Sequence, residues 1–375
     1  MMSRILICLT ICLTASAPGV LAQQPETTSD AEVPELLTIG STAPPLAIEH
    51  WLSDGEGKYP HITEFEPGKV YMVEFWATWC GPCIASMPHI SELQDKYADQ
   101  GLQIISVSDE DTATVEEFLQ RNVQGDDEMT YAQLTSNYCL TTDPDQSVNE
   151  AYMQAALQNG IPTAFLVGKT GQIEWIGHPM TVEEPLSSII GDQWDREAFA
   201  ASFRPQQEFQ WLLSQLGSKM QAGKTDEVIT ALDDAIGRFE DPRMVEQLKG
   251  IRAQILITTG SPGAAEAMDW MIELIGDNPD ILNNMAWSVV RLNEEGKQVD
   301  PALAESASKA ARKALELKPD DPQIVDTLAH LARVQGDLDQ AIRLAEQALE
   351  ISGGESPEIE KFLEQLRKEK LSRSP

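Results

Sequence analysis

Two kinds of apolar pattern divide the chain. In the first half, short unbroken apolar runs alternate with helical spacings, whereas past about Trp194 every strand signal stops. Lys69–Trp76 (KVYMVEFW) is apolar, β-branched and aromatic and follows Pro67-Gly68, which predicts a buried strand. Cys83–Tyr97 carries Ile84, Met87, Ile90, Leu93 and Tyr97 at helical spacing. Leu102–Val107 after Gly101 reads as a second buried strand, and Thr114–Arg121 as a helix. Asn149–Leu157 is another helix, closed by Asn159-Gly160. Ile161–Val167 is a strand led by proline, Lys169–Gln172 a turn and Ile173–Ile176 the returning strand of a hairpin, with Glu183–Ile190 a final helix. This order predicts a mixed sheet with helices packed on its faces.

The second half alternates helical periodicity with short breaks at Gly223, Asp241-Pro242, Gly260–Gly263, Asn278-Pro279, Lys318-Pro319, Gly336-Asp337 and Gly353-Gly354. Units of about 34–40 residues result, each able to hold two antiparallel helices. In the last unit Leu328, Ala329, Ala332, Gly336, Ala341 and Ala345 fall where the tetratricopeptide pattern wants small and apolar residues. Ala307, Ala311, Ala314 and Pro319 fit the second half of the unit before it, whose first half holds Met285-Ala286-Trp287 and an insertion around 293–301. Two earlier units, near 206–242 and 243–279, are degenerate, and Glu355–Lys370 reads as a charged terminal cap. Such repeats bury their apolar faces only by stacking, and the stack makes a groove suited to a protein partner. Residues 200–375 assemble no nucleophile, base or metal cluster, so this region reads as a docking platform.

Composition narrows the function. The 375 residues suit two domains, and a formal net charge of −33 excludes nucleic acid and anionic membrane surfaces as partners. At the N-terminus Arg4 precedes an apolar run from Ile5 to Leu13, and Val20-Leu21-Ala22 offers a cleavage site before Gln23. Residues 1–22 therefore read as an export signal, with anchoring by an uncleaved signal as the minority reading. Residues 23–38, rich in Gln, Pro, Thr, Ser and acid, read as a flexible linker. Cys8 and Cys12 leave with the signal, so the mature chain keeps Cys80, Cys83 and Cys139. A disulfide-stapled exported protein would have more cysteines at wider spacings, so one close pair points to redox chemistry.

That pair sits in Trp79-Cys80-Gly81-Pro82-Cys83, between a buried strand and a helix. The first sulfur falls at the helix N-terminus, where free N–H groups and the helix dipole favour a thiolate. Cys80 is then the exposed nucleophile, and Cys83, one turn on and shielded, resolves the mixed disulfide. A zinc site would need a second ligand pair, but Cys139 stands alone and the five histidines are scattered.

Val73–Cys83 (VEFWATWCGPC), with Pro88 and Ile161-Pro162-Thr163, resembles the thioredoxin superfamily, and its wider context resembles the exported TlpA/ResA-like thiol–disulfide reductases. The resemblance covers roughly 38–195. It implies a cis-proline at Pro162 in a loop facing the cysteines, with Ile161 and Trp79 beside the substrate chain, and a buried acid at Glu74 that exchanges a proton with the resolving cysteine. Thioredoxins also place a lysine near that acid, and Leu102–Val107 contains none. Cys139 reads as a buried, inert thiol, with a third redox cysteine as the alternative, His89 as a helix-surface residue and His178 as the end of the hairpin, neither with a catalytic part.

The expected architecture is an α/β thioredoxin fold over 39–195, a mixed central sheet flanked by helices, followed by an all-α helical repeat domain over 200–375. The expected function is reduction of protein disulfides outside the cytoplasm by the Cys80/Cys83 dithiol, with Glu74 assisting. No organic or metal cofactor is implied, and electrons come from a donor the chain does not identify. The rivals are a peroxiredoxin-like thiol peroxidase, whose Pro-led Thr-containing loop is missing, and a repeat scaffold with a redox-responsive module.

Overall fold

A computed structural model describes residues 36–373. The leader read over 1–22, and the linker up to residue 35, lie outside the described residues. The end of that linker is already part of the fold: Leu37 is buried, and its amide donates to Ala155 O.

The described residues form two compact units, 36–190 and 191–373. The first is built on six strands: β1 (His50–Asp54), β2 (Val70–Phe75), β3 (Leu102–Ser108), β4 (Cys139–Thr142), β5 (Thr163–Val167) and β6 (Ile173–Gly177). Their order in the sheet is β1-β4-β3-β2-β5-β6. β4, β3 and β2 run parallel, while β1, β5 and β6 join antiparallel. β2 and β3 are buried at every position, as expected of central strands covered on both faces. Tyr71, Phe75, Tyr152 and Phe165 fill the core, with Phe75 and Tyr152 each against the Phe165 ring.

Between strands lie α1 (Gly81–Tyr97), α2 (Thr112–Leu119), α3 (Tyr131–Leu134) and α4 (Ser147–Asn149), with α5 (Glu183–Ile190) closing the unit. Pro88 sits inside α1, where it removes one backbone donor from the ladder. The Gln94 side chain ties α1 to β3 through Leu102 O and Ile104 N.

Three features depart from the sequence pattern. β1 and β4 were not anticipated: β4 has four residues, and β1 carries an irregularity between Trp51 and Ser53, so neither shows a clean period. The helix expected over 149–157 begins at Ser147 and passes at Glu150–Gln154 into a π-helical turn. Third, α2 starts at Thr112, capped by Asp111 accepting from Thr114 N.

The second unit is helical throughout its described residues: α6 (Arg196–Gln221), α7 (Thr225–Arg238), α8 (Pro242–Thr259), α9 (Ala264–Ile275), α10 (Pro279–Glu294), α11 (Pro301–Leu317), α12 (Pro322–Val334), α13 (Leu338–Ile351) and α14 (Pro357–Arg373). Successive helices pack on one another, and α8, α10 and α12 also touch in series. Asp241, Asn278, Asp300 and Asp321 each cap a helix whose first residue is proline, so the breaks at Asp241-Pro242 and Asn278-Pro279 are helix starts, while the break at Lys318-Pro319 lies between α11 and α12. α11 buries Ala304, Ala307, Ala310, Ala311 and Ala314, small side chains that let its neighbours approach closely.

Candidate functional site

The site begins where β2 ends. Trp76 N donates to Val107 O, holding the end of β2 to β3, and the chain then turns through Ala77–Trp79 into α1. Cys80 is the N-cap of α1, and its sulfur accepts from Cys83 N at 3.2 Å. The sulfur that sequence marks as nucleophile thus occupies the position where a helix offers an unpaired N–H. Cys80 and Cys83 are joined as a disulfide, their sulfurs 2.06 Å apart. Both are buried, with relative exposures of 4% and 1%, which corrects the expectation of an exposed Cys80. The disulfide covers one side of its sulfur, and the Ile161 carbonyl stands 3.7 Å away on another. The exposed group here is instead Trp79, at 73%.

The turn that carries Trp79 and Cys80 is fastened from a distant part of the chain. Glu110, just past β3, accepts from Thr78 N at 2.6 Å and from Thr78 Oγ1 at 2.7 Å. Ser108 Oγ also donates to this carboxylate, at 3.1 Å. Sequence reasoning missed Glu110. The available signal was an acid directly after a buried parallel strand, the end of a sheet where functional loops collect.

The 161–162 peptide is cis, and Thr163 Oγ1 donates to Gly160 O at 2.7 Å to close its loop. Cys80, Cys83, Trp79, Ile161 and Pro162 are therefore gathered at one end of the sheet. A groove of about 460 Å³ opens beside them. The buried side chains of Phe75, Trp76, Val107 and Met153 line its interior, and Trp79 and Ile161 stand on its rim beside Cys80.

Glu74 lies inside the molecule, 1% exposed, in the middle of β2. Burial pushes its carboxyl up to about 8, and the facing Ser106 hydroxyl offsets this only in part. Neither Glu74 Oε1 nor Ser106 Oγ completes a hydrogen bond, and none links Glu74 to either sulfur. Tyr138, fully buried, is the third polar group of this cluster; burial first, and then the Glu74 charge, raise its hydroxyl well above its ordinary value. Cys139 is a free, fully buried thiol that burial pushes up to about 12. His178 Nδ1 accepts from Met180 N and so caps a turn. Among the described residues no three His, Cys, Asp or Glu side chains come together as a metal site.

Residues 38–188 match the Redoxin family. Protein FixW of Rhizobium leguminosarum is 27% identical over 159 residues, which span 42% of this chain and 68% of FixW. The thiol-disulfide oxidoreductase ResA of Geobacillus thermodenitrificans is 33% identical over 141 residues, 37% of this chain and 69% of ResA. A solved thiol:disulfide interchange protein of the thioredoxin family from Chlorobium tepidum is 18% identical, with 40% of this chain and 97% of that one covered, at a TM-score of 0.30. The Redoxin match lies on the unit that carries the paired cysteines, and ResA is matched at 33% identity over 69% of its length. The chain belongs to the ResA-like thiol-disulfide oxidoreductases of the thioredoxin superfamily.

Proposed function

We propose that the chain is an exported reductase of protein disulfides. The observation that carries this reading is the position of Cys80 Sγ, at a helix N-terminus and facing the Ile161 carbonyl beside an open groove. In the reduced protein Cys80 is the thiolate, favoured by the Cys83 amide and the helix end. It attacks one sulfur of a substrate disulfide, forming a mixed disulfide and releasing the other substrate sulfur as a thiolate, which takes a proton. Cys83 then loses its proton and attacks Cys80 Sγ. The second substrate thiol leaves, and the Cys80–Cys83 disulfide forms with the two electrons passed to the substrate. An external dithiol donor must return those electrons before the next cycle.

In this reading Trp79 and the backbone at Ile161 and Pro162 hold the extended substrate segment next to Cys80. Glu74, whose carboxyl burial pushes up to about 8, takes the Cys83 proton in its ionised form and afterwards gives it up to solvent. The leader over 1–22 directs the chain out of the cytoplasm; no helix among the described residues is long and apolar enough to cross a membrane. The helical unit, read as tetratricopeptide-like repeats, docks a protein partner.

A Cys83→Ser variant tests the core of the proposal. During turnover it should accumulate mixed disulfides between Cys80 and protein substrates, visible on non-reducing gels and lost on adding dithiothreitol. Absence of these adducts while wild-type protein turns over would overturn the mechanism. A reduction potential measured against glutathione checks the direction, since a strongly oxidising value makes the protein an oxidase.

A further inference from the structure

The groove beside Cys80 is apolar inside and uneven in charge at its rim. Among its lining residues there is no Lys, Arg or His, but there are two acids, Asp109 and Asp143. Their situations differ. Asp143 is fully buried and engaged within the fold: Oδ2 accepts from Val148 N at 2.8 Å and Oδ1 from Ser147 Oγ at 3.2 Å. Asp109 is exposed, and among the described residues its carboxylate has neither a hydrogen bond nor an ion pair. Its neighbour Glu110 is the residue clamped onto Thr78, so the backbone that presents Asp109 is fixed relative to the turn bearing Trp79 and Cys80. Asn149, Gln158 and Asn159 supply the other polar groups of the lining, all uncharged. The lining therefore holds a single uncommitted charge.

We infer that Asp109 makes this groove selective for disulfides flanked by a basic side chain, so that the substrates are polypeptides with Lys or Arg within about three residues of the attacked cysteine. The inference rests on the groove being the substrate site of the reductase. A basic side chain laid along the groove keeps its methylene stem against the apolar interior while its charge meets Asp109. An acidic side chain there meets a like charge. The chain's overall negative field also draws cations, but that attraction is largely screened beyond about 8 Å at physiological salt, whereas a direct contact with Asp109 falls within that length. Replacing Asp109 changes one charge among the chain's 60 acidic side chains, so its effect reports the local contact.

The test compares reduced full-length protein on three sets of disulfide peptides, identical except for Lys, Gln or Glu placed one to three residues from the cysteine. At 0.15 M salt the best Lys peptide should exceed its Glu counterpart in kcat/KM by about ten-fold. The ratio should fall to near 1 in Asp109→Asn and reverse in Asp109→Lys. Reduction of all peptides with a Lys-to-Glu ratio near 1, or a preference that survives Asp109→Asn, overturns this inference alone. No reduction of any peptide by the wild-type protein overturns it together with the reading on which it rests.

Discussion

Glu74 puts a carboxyl where the chain has removed nearly all water, and its protonation follows from that placement. The folded protein holds the Glu74 proton up to about pH 8, whereas the unfolded chain releases it near 4.5. Between these values the folded state carries the extra proton, so stability falls as pH rises through this window, by up to roughly 5 kcal/mol at its upper end. Glu74→Gln keeps the shape without the charge. Urea unfolding at pH 5, 6, 7 and 8 should show wild type losing stability relative to the variant at each step; parallel curves would refute this account. The cysteine pair was legible in sequence because its meaning is local, carried by neighbours within a few positions, whereas Pro162 was marked only through the family resemblance. Glu110 was not, since its partner Thr78 lies 32 residues away and only the sheet brings them together. The burial of Cys80 was also hidden, because the group facing it, the Ile161 carbonyl, lies 81 residues further along the chain.

At the level of elements, the central strands and long helices follow from apolar period, while the short edge elements do not. β4, Cys139–Thr142, is buried at all four positions and so lacks the polar alternation that marks a half-exposed strand. In the helical unit the breaks carried more information than their role as interruptions. Asp321 illustrates this: its carboxylate accepts from Gln323 N at 3.0 Å, and Pro322 occupies the first turn, where a missing N–H costs nothing. Asp321→Ala should lower the unfolding free energy by about 1 kcal/mol, whereas Asp320→Ala, one residue earlier and outside the cap, should change it by less than about 0.5 kcal/mol. Urea titrations of the two variants decide this, and equal losses would remove the capping argument. The same junction recurs with Asp241, Asn278 and Asp300.

For the whole molecule the dominant quantity is charge. With 27 basic and 60 acidic side chains, most carboxylates have no basic residue left to pair with. Ion pairs such as Arg333–Glu369 and Lys318–Asp280 are therefore set in an excess of like charge that opposes compactness. Raising sodium chloride from 20 to 300 mM shortens the screening length from about 20 Å to about 6 Å and should raise the thermal midpoint, followed by circular dichroism. A falling midpoint would mean that the ion pairs outweigh the repulsion. The change from mixed sheet to all-helical chain was visible in sequence as the loss of strand signals past Trp194. The detailed pairing of helices was not, because it depends on which small residues meet.

The reactive disulfide joins residues only three apart. In loop-entropy terms a ring this small restricts the unfolded chain by only about 2 kcal/mol, against nearly 5 for a ring of a hundred residues. The bond thus contributes little to holding the fold together, a task left to the buried sheet and to the clamp at Glu110. It can be opened and remade at every turnover while the surrounding architecture stays intact, acting as a carrier of electrons and not as a fastening.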